Sequence, residues 1–98
     1  MKILVVVDMQ NDFITGALGT KEAQAIVPKI QQKIDQCRKE DNLVVFTQDT
    51  HDENYLNTQE GKHLPIPHCI QGSDGWQIVY DAHGDLVHKK AHLDQRDW

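Results

Sequence analysis

Apolar positions fall along this chain in two dense runs with one spaced stripe between them. Ile3-Leu4-Val5-Val6-Val7 is continuous, rich in β-branched residues and closed by Asp8, which predicts a fully buried parallel strand over residues 2–8. Leu43-Val44-Val45-Phe46 predicts a second strand over residues 43–48. Between them Ala23, Ile26, Val27, Ile30, Ile34 and Cys37 recur at helical spacing. Pro28 belongs in a first turn, so the regular helix is expected to start between Ala25 and Val27 and run to about Lys39, where Asp41-Asn42 stops it. Thr20 is expected to cap only a short turn ahead of it. Residues 9–20 read as a loop, with turn chemistry at Asn11-Asp12, Gly16 and Gly19.

Residues 49–73 are polar and carry Pro65, Pro67, Gly61 and Gly72. A connection of that length inside a compact domain is usually functional. Ser73-Asp74-Gly75 is placed to start a short helix bearing Trp76, Ile78 and Val79, and Leu86-Val87-His88 reads as a third strand entered through His83-Gly84-Asp85. The order strand, helix, strand, loop, strand is the front of a three-layer, Rossmann-like α/β sheet, here about three parallel strands with one main helix. Such sheets normally have more strands and helices on both faces. The 98 residues therefore read as one partial domain, 1–98, and residues 91–98 show no clear period.

Composition narrows the function classes. A net charge of −5 argues against a nucleic-acid surface. Lys29, Lys33, Arg38 and Lys39 are scattered among acidic and polar neighbours, as on a solvated helix face. No apolar stretch approaches the roughly 20 residues of a membrane span. The first run is shorter than the apolar region of about 7–15 residues in a signal peptide, so a cytoplasmic location is the expectation. The two cysteines, Cys37 and Cys69, make no disulfide framework. Cys37 lies on the helix stripe as a core residue. Cys69 directly follows His68, and adjacent side chains rarely aim at one ion.

The chemistry is concentrated after the second strand. Asp49-Thr50-His51, with His68 further on, supplies two imidazoles and a carboxylate, a sufficient set for a divalent ion such as Zn²⁺ with positions left open. Asp8 ends the first strand as Asp49 ends the second, so both carboxylates are expected to face the crevice where open α/β sheets bind ligands. Taken singly, Asp8 is more often a strand-end residue capping a turn, and Asp49 and His51 read equally as loop groups making backbone hydrogen bonds. His63, His83, His88 and His92 read as surface residues, Trp76 and Tyr80 as packing residues, and Trp98 has no assignment.

Val5-Val6-Val7-Asp8-Met9-Gln10-Asn11-Asp12-Phe13 resembles the opening motif of the isochorismatase-like cysteine hydrolases, which include nicotinamidases. Thr47-Gln48-Asp49-Thr50-His51 and Pro65-Ile66-Pro67-His68-Cys69 resemble the metal-binding segments of the nicotinamidase branch, in the right order and separation. The resemblance covers roughly residues 1–90. It implies that Asp8 takes the proton of a nucleophilic cysteine and that Lys89 sits beside it, with Lys90 as the alternative one register away. It further implies Asp49, His51 and His68 as ligands of zinc or another divalent ion, Phe13 as an aromatic wall of the substrate pocket, and Gln10 as a polar pocket residue near the ion. The implied reaction is hydrolysis of a small carboxamide through a thioester, with ammonia released. An amide needs an activated nucleophile and a stabilised oxyanion, which these residue types serve.

Two departures from the family pattern stand out. The family's nucleophilic cysteine lies well after the lysine, and neither Cys37 nor Cys69 matches it. Ala91-His92-Leu93-Asp94 fits the family poorly, so the chain is expected to be truncated or frame-shifted and catalytically silent. The alternative is a non-catalytic metal- or ligand-binding fragment or structural subunit. The expected partners are a small-molecule amide and a second copy joined through the exposed sheet edge, with no nucleic acid and no membrane.

Overall fold

The computed structural model describes residues 1–91. The elements in order are strand β1 (Ile3–Val7), a single helical turn α1 (Asn11–Ile14), helix α2 (Lys21–Lys39), strand β2 (Leu43–Thr50), a short helix α3 (Gln59–His63) and strand β3 (Leu86–Ala91). Tight 3₁₀ turns at Tyr55–Asn57 and Asp74–Trp76 flank α3 on either side. The sheet order is β1-β2-β3, both pairings parallel, with Val6 beside Phe46 and Phe46 beside Val87. This is the expected open α/β sheet. His92 and Trp98 lie outside the described residues.

Helix α2 begins earlier than expected. The Thr20 hydroxyl accepts the Ala23 N–H at 3.0 Å, and the helix runs unbroken from Lys21 through Pro28. Proline inside a helix leaves the carbonyl four residues earlier without its partner. Here that carbonyl belongs to Gln24, and Gln24 and Pro28 both face solvent, so water is at hand to serve it. The cap and the apolar stripe outweigh the missing bond. At the other end Asp41 turns left-handed (φ +58°), and the Asn42 N–H closes onto the Cys37 carbonyl at 2.9 Å.

Side-chain parity divides the sheet into two unlike faces. Leu4, Val6, Val44, Phe46 and Val87 point toward α2 and form the core with Ile34, Cys37 and Tyr80. The Tyr80 hydroxyl donates to the Val27 carbonyl at 2.9 Å, and Arg38 pairs with Asp85 at 2.7 Å, fastening α2 to the segment that leads into β3. Ile3, Val5, Val7, Leu43 and Leu86 point the other way and are 50–66% exposed. The expectation that residues 2–8 are buried on both faces is thus corrected. The sequence pattern of β1 is that of a two-sided strand, but the described chain supplies a layer for one side only.

The core predicts its own sensitivities. Phe46 is fully buried at the centre of the sheet. Phe46→Ala is expected to lower unfolding free energy by about 3–5 kcal/mol, read from urea denaturation. Ile26→Ser, on the exposed side of α2, is expected to stay within about 0.5 kcal/mol.

Candidate metal centre and acid–lysine pair

The site forms where β1 leaves the sheet. Asp8 adopts φ +51°, a left-handed conformation uncommon outside glycine, and the chain turns sharply. The Asp8 carbonyl then accepts the Gln10 N–H at 2.8 Å. In a continuing ladder those two groups would serve Asp49 on β2. The Gln10 side chain replaces them: its Oε1 accepts the Asp49 N–H at 2.8 Å and its Nε2 donates to the Asp49 carbonyl at 2.9 Å. Nε2 also donates to the Trp76 carbonyl at 2.8 Å, which accepts from the Gln48 side chain as well. Gln10 is fully buried. Expected as a polar pocket residue near the ion, it lies under Asp49 of the candidate trio with its carboxamide engaged by backbone.

The Asp8 carboxylate is gripped at both oxygens. The Thr47 hydroxyl donates to Oδ1 at 2.6 Å, and the Lys90 ammonium lies 2.8 Å from Oδ2. Of the two lysines considered, Lys90 is therefore the one beside Asp8. Lys89 projects to the opposite face, where its ammonium stands 5.2 Å from the centre of the Trp76 ring. The cause is parity. Lys90 is in register with Asp49 and shares a face with Asp49 and Thr47, whereas Lys89 is in register with Gln48.

Asp49, His51 and His68 converge beside this pair. One donor atom from each lies within 4.8 Å of the others, and all three residues are buried. Asp49 Oδ2 is 3.2 Å from His51 Nε2 and 3.9 Å from His68 Nε2. Donors about 2.0–2.2 Å from one zinc ion stand roughly 3–4 Å from each other, so the residues fit a small divalent cation. His68 Nδ1 lies 2.7 Å from the Ile66 carbonyl. A carbonyl only accepts, so Nδ1 is the donor there and Nε2 is the nitrogen that faces the trio.

Aromatic rings box in the histidines. Tyr55 meets His51 and His68 edge-on with centroids 4.6 and 4.9 Å apart, and its hydroxyl donates to the Leu64 carbonyl at 2.7 Å. Phe13, expected as a pocket wall, is edge-on to His68 at 5.5 Å. His63, at the end of α3, and His88, on β3, are exposed and stand outside the trio. Neither Tyr55 nor Thr47 has an individual role legible in the sequence. Tyr55 lay in a segment without period, and Thr47 reads simply as a strand residue.

Among the described residues neither thiol hydrogen-bonds Asp8, whose carboxylate is taken by Thr47 and Lys90. Cys37 is packed between α2 and β2, donating to the Leu43 carbonyl at 3.3 Å. Cys69 is fully buried, and its thiol is pushed up to about 12 by burial and by the nearby Asp49, Asp12 and Asp8 carboxylates.

Comparison with known proteins agrees with the fold. The family described as Isochorismatase domain matches residues 2–96, and the chain belongs to that family. Among solved structures, the pyrazinamidase of Pyrococcus horikoshii in complex with zinc shares 37% identity at a TM-score of 0.80, over 94% of this chain and 52% of that one. The N-carbamoylsarcosine amidase of Thermoplasma acidophilum shares 32% identity at a TM-score of 0.76, over 90% and 50% of the two chains. A pyrazinamidase/nicotinamidase of Streptococcus mutans shares 30% at 0.77, over 94% and 56%. The chain thus spans about half the length of these solved relatives. Among curated proteins none matches it. No helix among the described residues is long and apolar enough to cross a membrane.

The burial of both thiols sets a chemical expectation. Iodoacetamide at neutral pH should leave Cys37 and Cys69 unmodified in the folded chain and alkylate both in urea, as intact mass would record. Rapid native alkylation of Cys69 would contradict its packing.

Proposed function

We propose that this chain carries the metal-binding and proton-accepting part of a nicotinamidase-like amide hydrolase site. The observation that carries the reading is the convergence of Asp49, His51 and His68 beside an Asp8 gripped by Thr47 and Lys90. Asp49, His51 and His68 would hold a divalent ion, with zinc first because two imidazoles and a carboxylate suit it. The ion's contribution when bound is to anchor and polarise a small carboxamide.

Asp8 is the candidate proton acceptor, and Lys90 is its ion-pair partner at 2.8 Å. A thiol giving its proton to Asp8 would attack the amide carbon, ammonia would leave with a returned proton, and water would cleave the thioester. Phe13 and Tyr55 wall the histidine side of this space. Positioning of that kind supplies much of the acceleration in such reactions.

The chain on its own is proposed to be catalytically silent, because neither Cys37 nor Cys69 matches the position of the family's nucleophile. A second reading, a self-associating subunit, is favoured by the open sheet face. Ile3, Val5, Val7, Leu43 and Leu86 are exposed together there, and among the described residues β1 is paired on one side only. Such an edge is a template for another strand.

Three measurements separate these readings. The purified chain should bind one equivalent of zinc, and His68→Ala should weaken binding by more than the roughly 10–100-fold typical of losing a supporting partner. Incubation with nicotinamide and zinc should release no ammonia above buffer. Turnover that survives repurification and disappears in Asp8→Ala would overturn the proposed silence. Light scattering after size exclusion should show a dimer or larger species that Val5→Lys dissociates, and a monodisperse monomer would remove the self-association reading.

A further inference from the structure

Asp12 belongs neither to the acid–lysine pair nor to the metal trio. Its carboxylate nevertheless reaches the residue that joins the two histidines. Cys69 follows His68 directly, and the Cys69 carbonyl accepts the His51 N–H at 2.9 Å. The His51 carbonyl accepts from the Gln71 N–H at 2.8 Å, so the segment after His68 runs as a short ladder beside His51. The Cys69 N–H, in turn, donates to Asp12 Oδ2 at 2.8 Å.

Cys69 also adopts φ +51°. A non-glycine residue keeps that conformation only where its surroundings over-determine it. A hydrogen bond to a full carboxylate is among the stronger holds available. The carboxylate is itself closely seated. Gly75 packs directly against it, and a Cβ at Gly75 would fall on the Asp12 oxygens. The neighbouring Asn11 side chain donates to the Asp74 carbonyl at 2.8 Å, drawing the Asp74–Trp76 turn against α1.

We infer that Asp12 is a positioning residue for the metal trio, setting the separation of His51 and His68 through the Cys69 backbone, with Gly75 leaving the space its carboxylate needs. The inference rests on the reading of Asp49, His51 and His68 as a metal site. Asp12 touches neither ion nor substrate in this role. It acts as the partners that orient metal ligands do, whose loss typically costs about 10–100-fold in metal affinity.

Cobalt(II) is the probe, because its visible spectrum reports ligand geometry and its affinity is measurable without any activity. Melting of the metal-free chains in EDTA reports folding separately. Asp12→Ala should bind cobalt about 10–100-fold more weakly than the unaltered chain, with an altered visible spectrum. Asp12→Asn keeps an oxygen that accepts from Cys69 and should recover most of the affinity. Gly75→Ala, which crowds the carboxylate, should weaken binding as Asp12→Ala does.

Unchanged affinity and spectrum in a folded Asp12→Ala would overturn the inference, whether or not its melting temperature falls. Should Asp12→Ala fail to fold, Asp12→Asn and Gly75→Ala decide. Near-native binding in the first with weakened binding in the second supports the role, and any other pairing overturns it. An unaltered chain that takes up no cobalt would bring down the metal-site reading and this inference together. Equal uptake by all four proteins would bring down this inference alone.

Discussion

The left-handed turn at Asp8 is the constraint on which the site depends. It ends β1 at Val7 while β2 continues to Thr50, so the end of β2 would lose its neighbour on that side. The Gln10 carboxamide restores both hydrogen bonds to Asp49, whose side chain turns toward the histidines. A peptide-like group supplied by a side chain continues the ladder without continuing the strand. The five residues Asp8 to Asp12 thereby perform three tasks: the candidate base at one end, the strut under Asp49 in the middle, and the hold on Cys69 at the other end.

That economy explains why so many polar groups tolerate burial. Gln10, Gln48, Asp49, His51 and His68 are all at most 5% exposed. A buried polar group without a partner costs on the order of 1–3 kcal/mol. Here the two carboxamides converge on the Trp76 carbonyl, His68 is fixed by Ile66, and the Trp76 indole N–H donates to Thr50 at 2.9 Å. Several of the partners in this network are backbone groups from the turn at Asp74–Trp76 and the segment Ile66–Cys69. A deletion in either segment would expose or orphan several of its members at once.

How much of this was legible in the sequence follows from which groups carry a local signature. The strands, their parallel order and the acids at their ends were readable because continuous β-branched runs and strand-end carboxylates are local patterns. The choice between Lys89 and Lys90 was not, because it depends on register with β2, and a shift of one residue exchanges the two faces. The sequence predicts a later helix start because Pro28 suits a first turn, while its exposure, which makes the missing bond tolerable, is a tertiary fact. Gln10 was expected near the ion, but its engagement with Asp49 depends on β1 ending where it does. Asp12 read as turn chemistry, since its partner Cys69 is remote in sequence.

The two faces of the sheet carry this asymmetry into function. On the covered face, α2 and Tyr80 close a core around Phe46, which fixes the register of all three strands. On the open face, Val5 and Val7 lead to the same rim as Thr47, Asp49 and Lys90. Apolar cover laid over those valines would also wall the candidate site from water, and a carboxylate and ammonium interact more strongly as water is excluded. The Asp8–Lys90 pair stands at the boundary, its side chains 22% and 37% exposed. Whatever covers the open face, in a longer protein or in an assembly, therefore acts on the acid–lysine pair as well as on stability.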